Sequence, residues 1–414
     1  MRAIIESARI SGFINAPKSK SHAIRLIFAS ILGNQKILAI PKSEDVRIAI
    51  ETVKQLGVEI KGADFSLKKM PRQDKSYFYV GSSATCLRFL IPILCVIGGS
   101  YVIDGDDQLR KRPLNAIYEA LFPYGILSSN MLPLKIEGRF KEDEIAIRGD
   151  ESSQYISGFM FAFALKGGGK IKIINRLTSK SHVLMTKEVL EKFGVKVNMA
   201  ENSIEVIRKE YVTQVKSEVE GDYLLSSFYV AGSLITTGSI TIKGLPKPRS
   251  YFGDHSILEI YKRMGAVSEY SNGKWICNHS PSYKAVKVDI DDAPDIAVSI
   301  AALASVSEGI TEMKNAMRLG IKESNRISSI IDVLKSFNVV AKFEDGSLSI
   351  EGLNKEKLNH AVVKSHDDHR IAMLASVLAL VNGGIILGAE STAKSNPNFW
   401  EDLQRLGGKI KLEN

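Results

Sequence analysis

Three cysteines in 414 residues, Cys86, Cys95 and Cys277, are too few and too scattered for a disulfide framework or a zinc cluster. Long apolar runs are missing as well. None approaches the ~20 residues that span a bilayer, and the longest, 89–97 and 371–381, have the length of buried helices. Residues 1–16 lack the continuous apolar stretch of a signal peptide, so the cytoplasm is the expected location. Aromatic residues make up 7% of the chain and do not alternate with basic ones, and no block of like charges stands out. The net charge of +9 therefore points to small polyanionic substrates, with no nucleic acid and no membrane as partner.

What remains is a globular composition, 44% hydrophobic and 24% charged, on a chain long enough for two domains. Residues 16–25, Ala-Pro-Lys-Ser-Lys-Ser-His-Ala-Ile-Arg, lead from a polar, doubly basic turn into an apolar run that stops at Gly33. Proline and serine before such a run mark a helix start, and glycine marks its end. A helix start leaves backbone N–H groups open and carries partial positive charge, which suits an anion. Lys20, Ser21 and Arg25 strengthen that preference.

The stretch has counterparts. Nearly all-apolar helices ending in glycine recur at Gly33, Gly98, Gly167, Gly238, Gly309 and Gly383, at intervals of about 70 residues. A second, amphipathic type, as in 46–57, 183–194 and 327–338, recurs with the same period. Asn272-Gly273 and Asp345-Gly346 are tight-hairpin signals. The repeated unit reads as apolar inner helix, strand, amphipathic outer helix and two strands. The sixth copy lacks its last strand, and the N-terminal residues 2–15 can supply one. The chain then forms two pseudo-threefold domains, 1–17 with 221–414 and 18–220. The expected crossings, near 16–18 and 218–221, make a two-strand hinge around an active-site cleft.

Each inner helix begins with a polar cluster: residues 18–21, 82–85 and 152–154, Asp222 with Ser226, Asp295, and residues 367–370. A helix dipole contributes only about 0.3–1 kcal/mol to holding an anion, whereas each charge-assisted hydrogen bond from Lys or Arg adds about 1.5–3 kcal/mol. The basic side chains of the loops must therefore fix the ligand. The loops carry Lys42, Arg47, Arg110, Arg112, Lys180, Lys247, Arg249, Lys322, Arg326 and Lys394. With Asp295, Glu323 and His369 as proton-transfer candidates, such a site fits a small phosphorylated acid. Taken singly, the features have blander readings. His366-Asp367-Asp368-His369 can be a metal site, or His369 a neighbour of a helix cap. Glu323 and Arg326 can be a surface pair, and Ser152-Ser153 a plain N-cap.

At these residues the chain resembles the EPSP synthases, the 3-phosphoshikimate 1-carboxyvinyltransferases of the shikimate pathway, which serves chorismate and aromatic amino acid biosynthesis. The likeness runs through Ser19-Lys20-Ser21 with Arg25, Glu44-Asp45-Val46-Arg47, Arg112-Pro113, Ser152-Ser153-Gln154, Gly221-Asp222, Pro294-Asp295, Lys322-Glu323 with Arg326, Asp368-His369-Arg370 and Thr392-Ala393-Lys394. The resemblance implies a two-domain inverse α/β barrel, the enolpyruvyl transferase fold, with three βαβαββ units per domain. It implies a monomer that needs no metal and no organic cofactor. Shikimate 3-phosphate would be held by Lys20, Ser21, Arg25, Ser152, Ser153, Gln154, Ser179, Asp295 and Lys322. Phosphoenolpyruvate would be held by Lys20, Ala84, Arg112, Gln154, Arg326, Arg370 and Lys394. The implied catalytic set is Lys20, Asp295, Glu323, His369 and Lys394.

Two rivals remain at this point. UDP-N-acetylglucosamine enolpyruvyl transferases share fold and donor but usually carry a loop cysteine, and none of the three cysteines occupies that loop. The second is a basic RNA-binding protein, a class that includes the distantly similar RNA 3′-phosphate cyclases. The chain also departs from the family pattern. Arg318 stands where an asparagine is usual, and His182 replaces a tyrosine. Gly-Asn-Ala-Gly-Thr appears as Gly81-Ser82-Ser83-Ala84-Thr85. The Ala84 methyl should crowd the longer inhibitor glyphosate more than phosphoenolpyruvate, which predicts weak inhibition. An inhibition constant equal to that of glycine-bearing, glyphosate-sensitive enzymes would overturn this.

Overall fold

The computed structural model describes residues 1–68, 76–208, 210, 212 and 214–414. The chain divides into two compact units, Met1–Ser19 with Glu220–Asn414, and Lys20–Val219. Each unit has its own hydrophobic core.

In the Lys20–Val219 unit the inner helices are Lys20–Ala29, Ala84–Ile97 and Ser153–Lys166. They carry almost no polar face, because each is surrounded by the other two and by outer elements. Phe28, Phe89 and Phe161, one from each, meet with ring centroids 5.3–6.4 Å apart. The outer helices Glu44–Gln55, Asn115–Leu121 and Lys180–Glu191 bury one face only. Glu44–Gln55 turns Val46, Ala49 and Val53 inward, the i, i+3, i+7 spacing of an amphipathic helix. The other unit repeats the plan with inner helices Tyr223–Ile235, Ala297–Ala304 and His369–Asn382. Its outer helices are Ile257–Arg263, Arg326–Ser336 and Phe399–Arg405. Every residue of Tyr223–Ile235 is buried.

Five of the six sheets follow one rule. An edge strand runs parallel to its neighbour, which pairs antiparallel with a third strand, and the third pairs antiparallel with a fourth. Glu144–Arg148, Gly168–Ile174, Ser203–Arg208 and Val195–Met199 form one such sheet. Two sheets are completed from far along the chain. Gln214–Glu218 is the parallel edge strand beside Asn34–Leu38, and Gly12–Asn15 is that beside Ser239–Lys243. The last sheet takes Arg2–Glu6 between Gly384–Leu387 and Lys409–Glu413, so the N-terminal strand fills the place of the hairpin strand the sixth copy lacks. The second copy departs from the plan. Among the described residues its sheet has three strands, and an isolated bridge at Leu127 to Ile136 stands where a fourth would lie.

The glycines that end inner helices serve a conformational need at Gly167, which adopts a left-handed C-cap at φ 108°. Gly158 serves a steric one. Pro92 lies inside the Ala84–Ile97 helix and has no N–H, so the carbonyl of Arg88 loses its intrahelical donor. The Ser153–Lys166 helix closes on that carbonyl. A Cβ at position 158 would lie 2.5 Å from Arg88 O and 3.1 Å from Phe89 Cα. Gly158→Ala is therefore expected to push the two helices apart and cost about 1–3 kcal/mol. A denaturant midpoint equal to that of the parent would contradict so tight a crossing.

Candidate functional site

The polar residues of the Lys20–Val219 unit gather at the inner-helix starts. Lys20 opens its helix and places Nζ 2.6 Å from Oδ2 of Asp45, at the start of the neighbouring outer helix. Arg25 lies one turn further in, fully buried. Its Nε donates to Thr186 Oγ1 at 2.8 Å and its Nη1 to the Ser21 carbonyl at 2.8 Å, while its face rests 5.3 Å from the Phe89 ring centre. Burial pulls this guanidinium down to about 9, and no carboxylate among the described residues pairs with it. Nη2 has no hydrogen-bond partner.

The third inner helix is capped by Ser152, whose Oγ accepts from Gln154 N, with Ser153 buried beside it. The Gln154 side chain is clamped at both ends: Arg88 Nη1 donates to Oε1 at 2.9 Å, and Nε2 donates to Thr85 Oγ1 at 2.8 Å. Ala84 begins the second inner helix next to Thr85, and Ser83 caps it. Ser179 is buried in a left-handed conformation just ahead of Lys180–Glu191. Arg112 is half-buried after the short Asp107–Arg110 helix, and a bidentate Arg110–Asp104 pair anchors that loop. Thus Lys20, Ser21, Arg25, Ser152, Ser153, Gln154 and Ala84 sit on the inner-helix starts, and Ser179 and Arg112 on adjoining loops.

In the other unit Asp295, Lys322, Arg326 and Arg370 join one ion network, with Glu323 and His369 beside it. Asp295 Oδ1 accepts from Arg326 Nη1 at 2.7 Å and from Lys322 Nζ at 3.1 Å, and its Oδ2 meets Arg370 Nη1. Arg326, 2% exposed, also grips Asp368 through Nε at 2.7 Å and Nη2 at 3.1 Å. Asp368 caps the His369–Asn382 helix through Arg370 N and accepts from Ser324 Oγ. Glu323 Oε2 lies 2.8 Å from Nδ1 of the buried His369. Lys394 Nζ donates to the carbonyl of Asp367 at 3.0 Å. Arg318, the departure from the family pattern, donates to the Asp291 carbonyl at 3.1 Å.

Two bland readings of the sequence end here. Arg326 is not half of a surface pair with Glu323, because its donors go to Asp368 and Asp295. Glu323, Asp368 and His369 do place possible ligand atoms within 4.8 Å of one another. Both Asp368 oxygens, however, are already engaged by Arg326, and a guanidinium against the cluster is poor company for a cation.

The charges set the proton affinities. Burial alone would raise the Asp295 carboxyl, but Arg370, Lys322 and Arg326 hold it well below the usual carboxylate range. Asp368 is likewise buried and held down by Arg326. Lys322 is brought down to about 8 by burial, with Arg318, Arg326 and Arg370 adding to the effect and Asp295 opposing it. Asp254, in the Gly253–Ser256 turn, is pushed up to about 7 by burial and by Asp222, Asp295 and Asp292, against Arg370. Neither Asp254 nor Asp45 nor Thr186 was singled out as a site residue from sequence. Asp45 lay within a motif quoted above, whereas Asp254 and Thr186 meet their partners only through the fold. All three cysteines are buried, and burial pushes each thiol up, so none is a reactive loop thiol.

A prediction follows from Lys322. An anion favours its charged form, so the bound value lies above that of the free protein, and affinity is flat below about pH 8 and falls as pH rises beyond it. Calorimetric titration with sulfate, whose charge is constant over this range, should show this fall, and Lys322→Arg should flatten it. A parent protein with no loss of affinity between pH 7 and 9.5 would refute the assignment.

A family model described as EPSP synthase (3-phosphoshikimate 1-carboxyvinyltransferase) matches residues 4–403. The chain is 46% identical over 411 residues to the 3-phosphoshikimate 1-carboxyvinyltransferase of Saccharolobus solfataricus, covering 99% of each chain. It is 44% identical over 406 residues to that of Sulfurisphaera tokodaii, covering 98% of each. Among solved structures, an EPSP synthase from Acinetobacter baumannii aligns with a TM-score of 0.78 at 24% identity, over 99% of this chain and 100% of that one. The enolpyruvyl transferase NikO from Streptomyces tendae aligns at 0.77 and 14% identity, over 99% and 98%. At those identities the structures speak for the fold, whereas the family model and the archaeal relatives speak for descent along the whole chain. The chain belongs to the EPSP synthase family and has the α/β fold of the enolpyruvyl transferases.

Proposed function

We propose that the protein transfers the enolpyruvyl group of phosphoenolpyruvate to the 5-hydroxyl of shikimate 3-phosphate, releasing phosphate, as a cytoplasmic monomer. The observation that carries this reading is the Asp295 network. Three cations surround one carboxylate that is kept ionised, beside a carboxyl–imidazole pair able to move a proton. That is the equipment for a substrate with several anionic groups that must also be protonated on carbon.

In the first step the 5-hydroxyl attacks C2 of phosphoenolpyruvate, C3 takes a proton, and a tetrahedral ketal forms. In the second, phosphate and a C3 proton leave and the enolpyruvyl ether remains. Glu323 delivers the proton to C3 and, as the carboxylate so formed, takes the C3 proton in the second step, and its hydrogen bond to His369 fixes where the carboxyl points. Asp295 takes the hydroxyl proton. As it stands Asp295 is a feeble base, because three cations hold it ionised. The anionic substrates compete for those cations. As Arg326, Arg370 and Lys322 turn to carboxylate and phosphate oxygens, the Asp295 carboxylate loses its partners and gains basicity. Binding of the anions thus prepares the base. Lys20 and Lys394 neutralise the departing phosphate, and Lys394 can supply its proton. Arg25, Ser21, Ser152, Ser153, Gln154 and Ser179 hold shikimate 3-phosphate together with Lys322. Arg112 and Gln154 hold phosphoenolpyruvate, with Ala84 against it.

The UDP-N-acetylglucosamine alternative is not favoured by thiols that lie buried, and the RNA alternative is not favoured by a full-length match to the EPSP synthase family. Phosphate release that needs both small substrates tests the proposal, and release with neither or only one would overturn it. Glu323→Gln should lower kcat by about 10²–10⁴-fold with the KM values little changed. Near-normal turnover would remove Glu323 from the proton transfer.

A further inference from the structure

Arg25 is an unusual cation. A guanidinium has five N–H donors in a fixed fork, and here the fork is buried to 1% exposure with no carboxylate among the described residues beside it. Its orientation is set instead by neutral groups. One is the Ser21 carbonyl on its own helix. The other is the hydroxyl of Thr186, which belongs to the outer helix Lys180–Glu191 and has no exposed surface. The Thr186 oxygen accepts from Arg25 Nε at 2.8 Å. It also lies 3.1 Å from the carbonyl of His182 and 2.9 Å from Ser157 Oγ on the inner helix Ser153–Lys166. Its single proton goes to one of these two acceptors, which leaves the oxygen lone pairs for Arg25.

Thr186 therefore sits where three elements meet. One carries Arg25. The second opens at Ser179, and the third opens at Ser152 and Ser153. These are the elements to which the proposed function assigns most of the grip on shikimate 3-phosphate. With Nε and Nη1 engaged, the nitrogen left without any partner is Nη2, which is buried. A buried unsatisfied donor is costly, more so on a charged group. That cost is recovered when an anionic oxygen arrives, provided the fork cannot rotate to satisfy Nη2 elsewhere. Holding Nε from Thr186, together with the Ser21 carbonyl on Nη1, prevents the rotation.

Resting on the proposed function, we infer that Thr186, supported by Ser157, is a positioning residue that locks the Arg25 guanidinium so that Nη2 is presented to shikimate 3-phosphate. Thr186 touches no reacting atom. It acts on affinity for one substrate only, and a threonine is suited to the place because its hydroxyl can lean on the carbonyl four residues back while accepting from a second helix.

The experiment is steady-state kinetics on the full chain with both substrates varied. Thr186→Val keeps the shape and removes the hydroxyl. It should raise KM for shikimate 3-phosphate about tenfold or more, leaving KM for phosphoenolpyruvate and kcat within about threefold of the parent. Thr186→Ser restores the oxygen and should return KM to within about threefold. Should Thr186→Val fold poorly, Ser157→Ala provides the second arm, with a rise of a few fold in the same KM and none in the other. Unchanged KM values in a folded Thr186→Val protein would overturn the inference, as would equal rises for both substrates or a failure of Thr186→Ser to restore affinity. A parent protein without two-substrate phosphate release would instead overturn the function on which the inference rests.

Discussion

A helix buried on every side has no lateral face on which to carry chemistry. Each inner helix of this protein is sheathed in apolar contacts along its length, from the Phe28–Phe89–Phe161 cluster in one unit to the wholly buried Tyr223–Ile235 in the other. Charged groups lie mainly in the first two turns of such a helix, near the start where the backbone itself has unsatisfied N–H groups, and the polar residues further along, such as Ser157 and Ser376, are small and buried. The placement of nearly every candidate site residue follows from that constraint. The outer helices and loops then contribute the side chains that reach those ends.

The two units answer the constraint with different charges. In Lys20–Val219 the second and third inner helices are capped by serines, Ser83 and Ser152, and the first opens on Lys20. In the other unit Asp222 and Asp368 cap their helices, and Asp295 takes the corresponding place in the middle copy while binding cations instead. An aspartate at a helix start is stabilised by the dipole, and once ionised and buried it requires cationic company. Arg326, Arg370 and Lys322 provide that company, and their number exceeds what Asp295 alone needs. An arrangement of this kind gains little stability from its ion pairs, since desolvation consumes much of the Coulomb energy. Its value lies in holding several strong donors ready for an anion.

The architecture was largely legible in the sequence because it is periodic. Apolar runs ending in glycine, with Asn272-Gly273 and Asp345-Gly346 between strands, reflect local rules that a single chain displays without its fold. The hairpins form where those pairs stand, with both residues of each pair at positive φ. The second copy was less legible. The polar stretch around Ser128 and Asn130 leaves only a bridge where a strand was expected. The side chains of the site were legible as types and not as partnerships. Arg326 reads as an anion binder in sequence, but its donors prove to be held by Asp368 and Asp295, both more than thirty residues away. Thr186 lies 161 positions from Arg25. No spacing rule reports such pairs, because the fold alone brings them together.

The strand Arg2–Glu6 has a consequence for how the protein is made. It pairs residue by residue with Lys409–Glu413, so Arg2 lies opposite Glu413. On a ribosome the Lys20–Val219 unit can close as soon as its own residues have emerged. Arg2–Glu6 must wait for Gly384–Leu387 and Lys409–Glu413, which lie far along the chain. Until they are made Arg2–Glu6 is an unpaired strand, short and bracketed by Arg2 and Glu6, which are features that discourage pairing with other chains. The unit holding both termini is thus completed last, by the slowest kind of contact a chain can make.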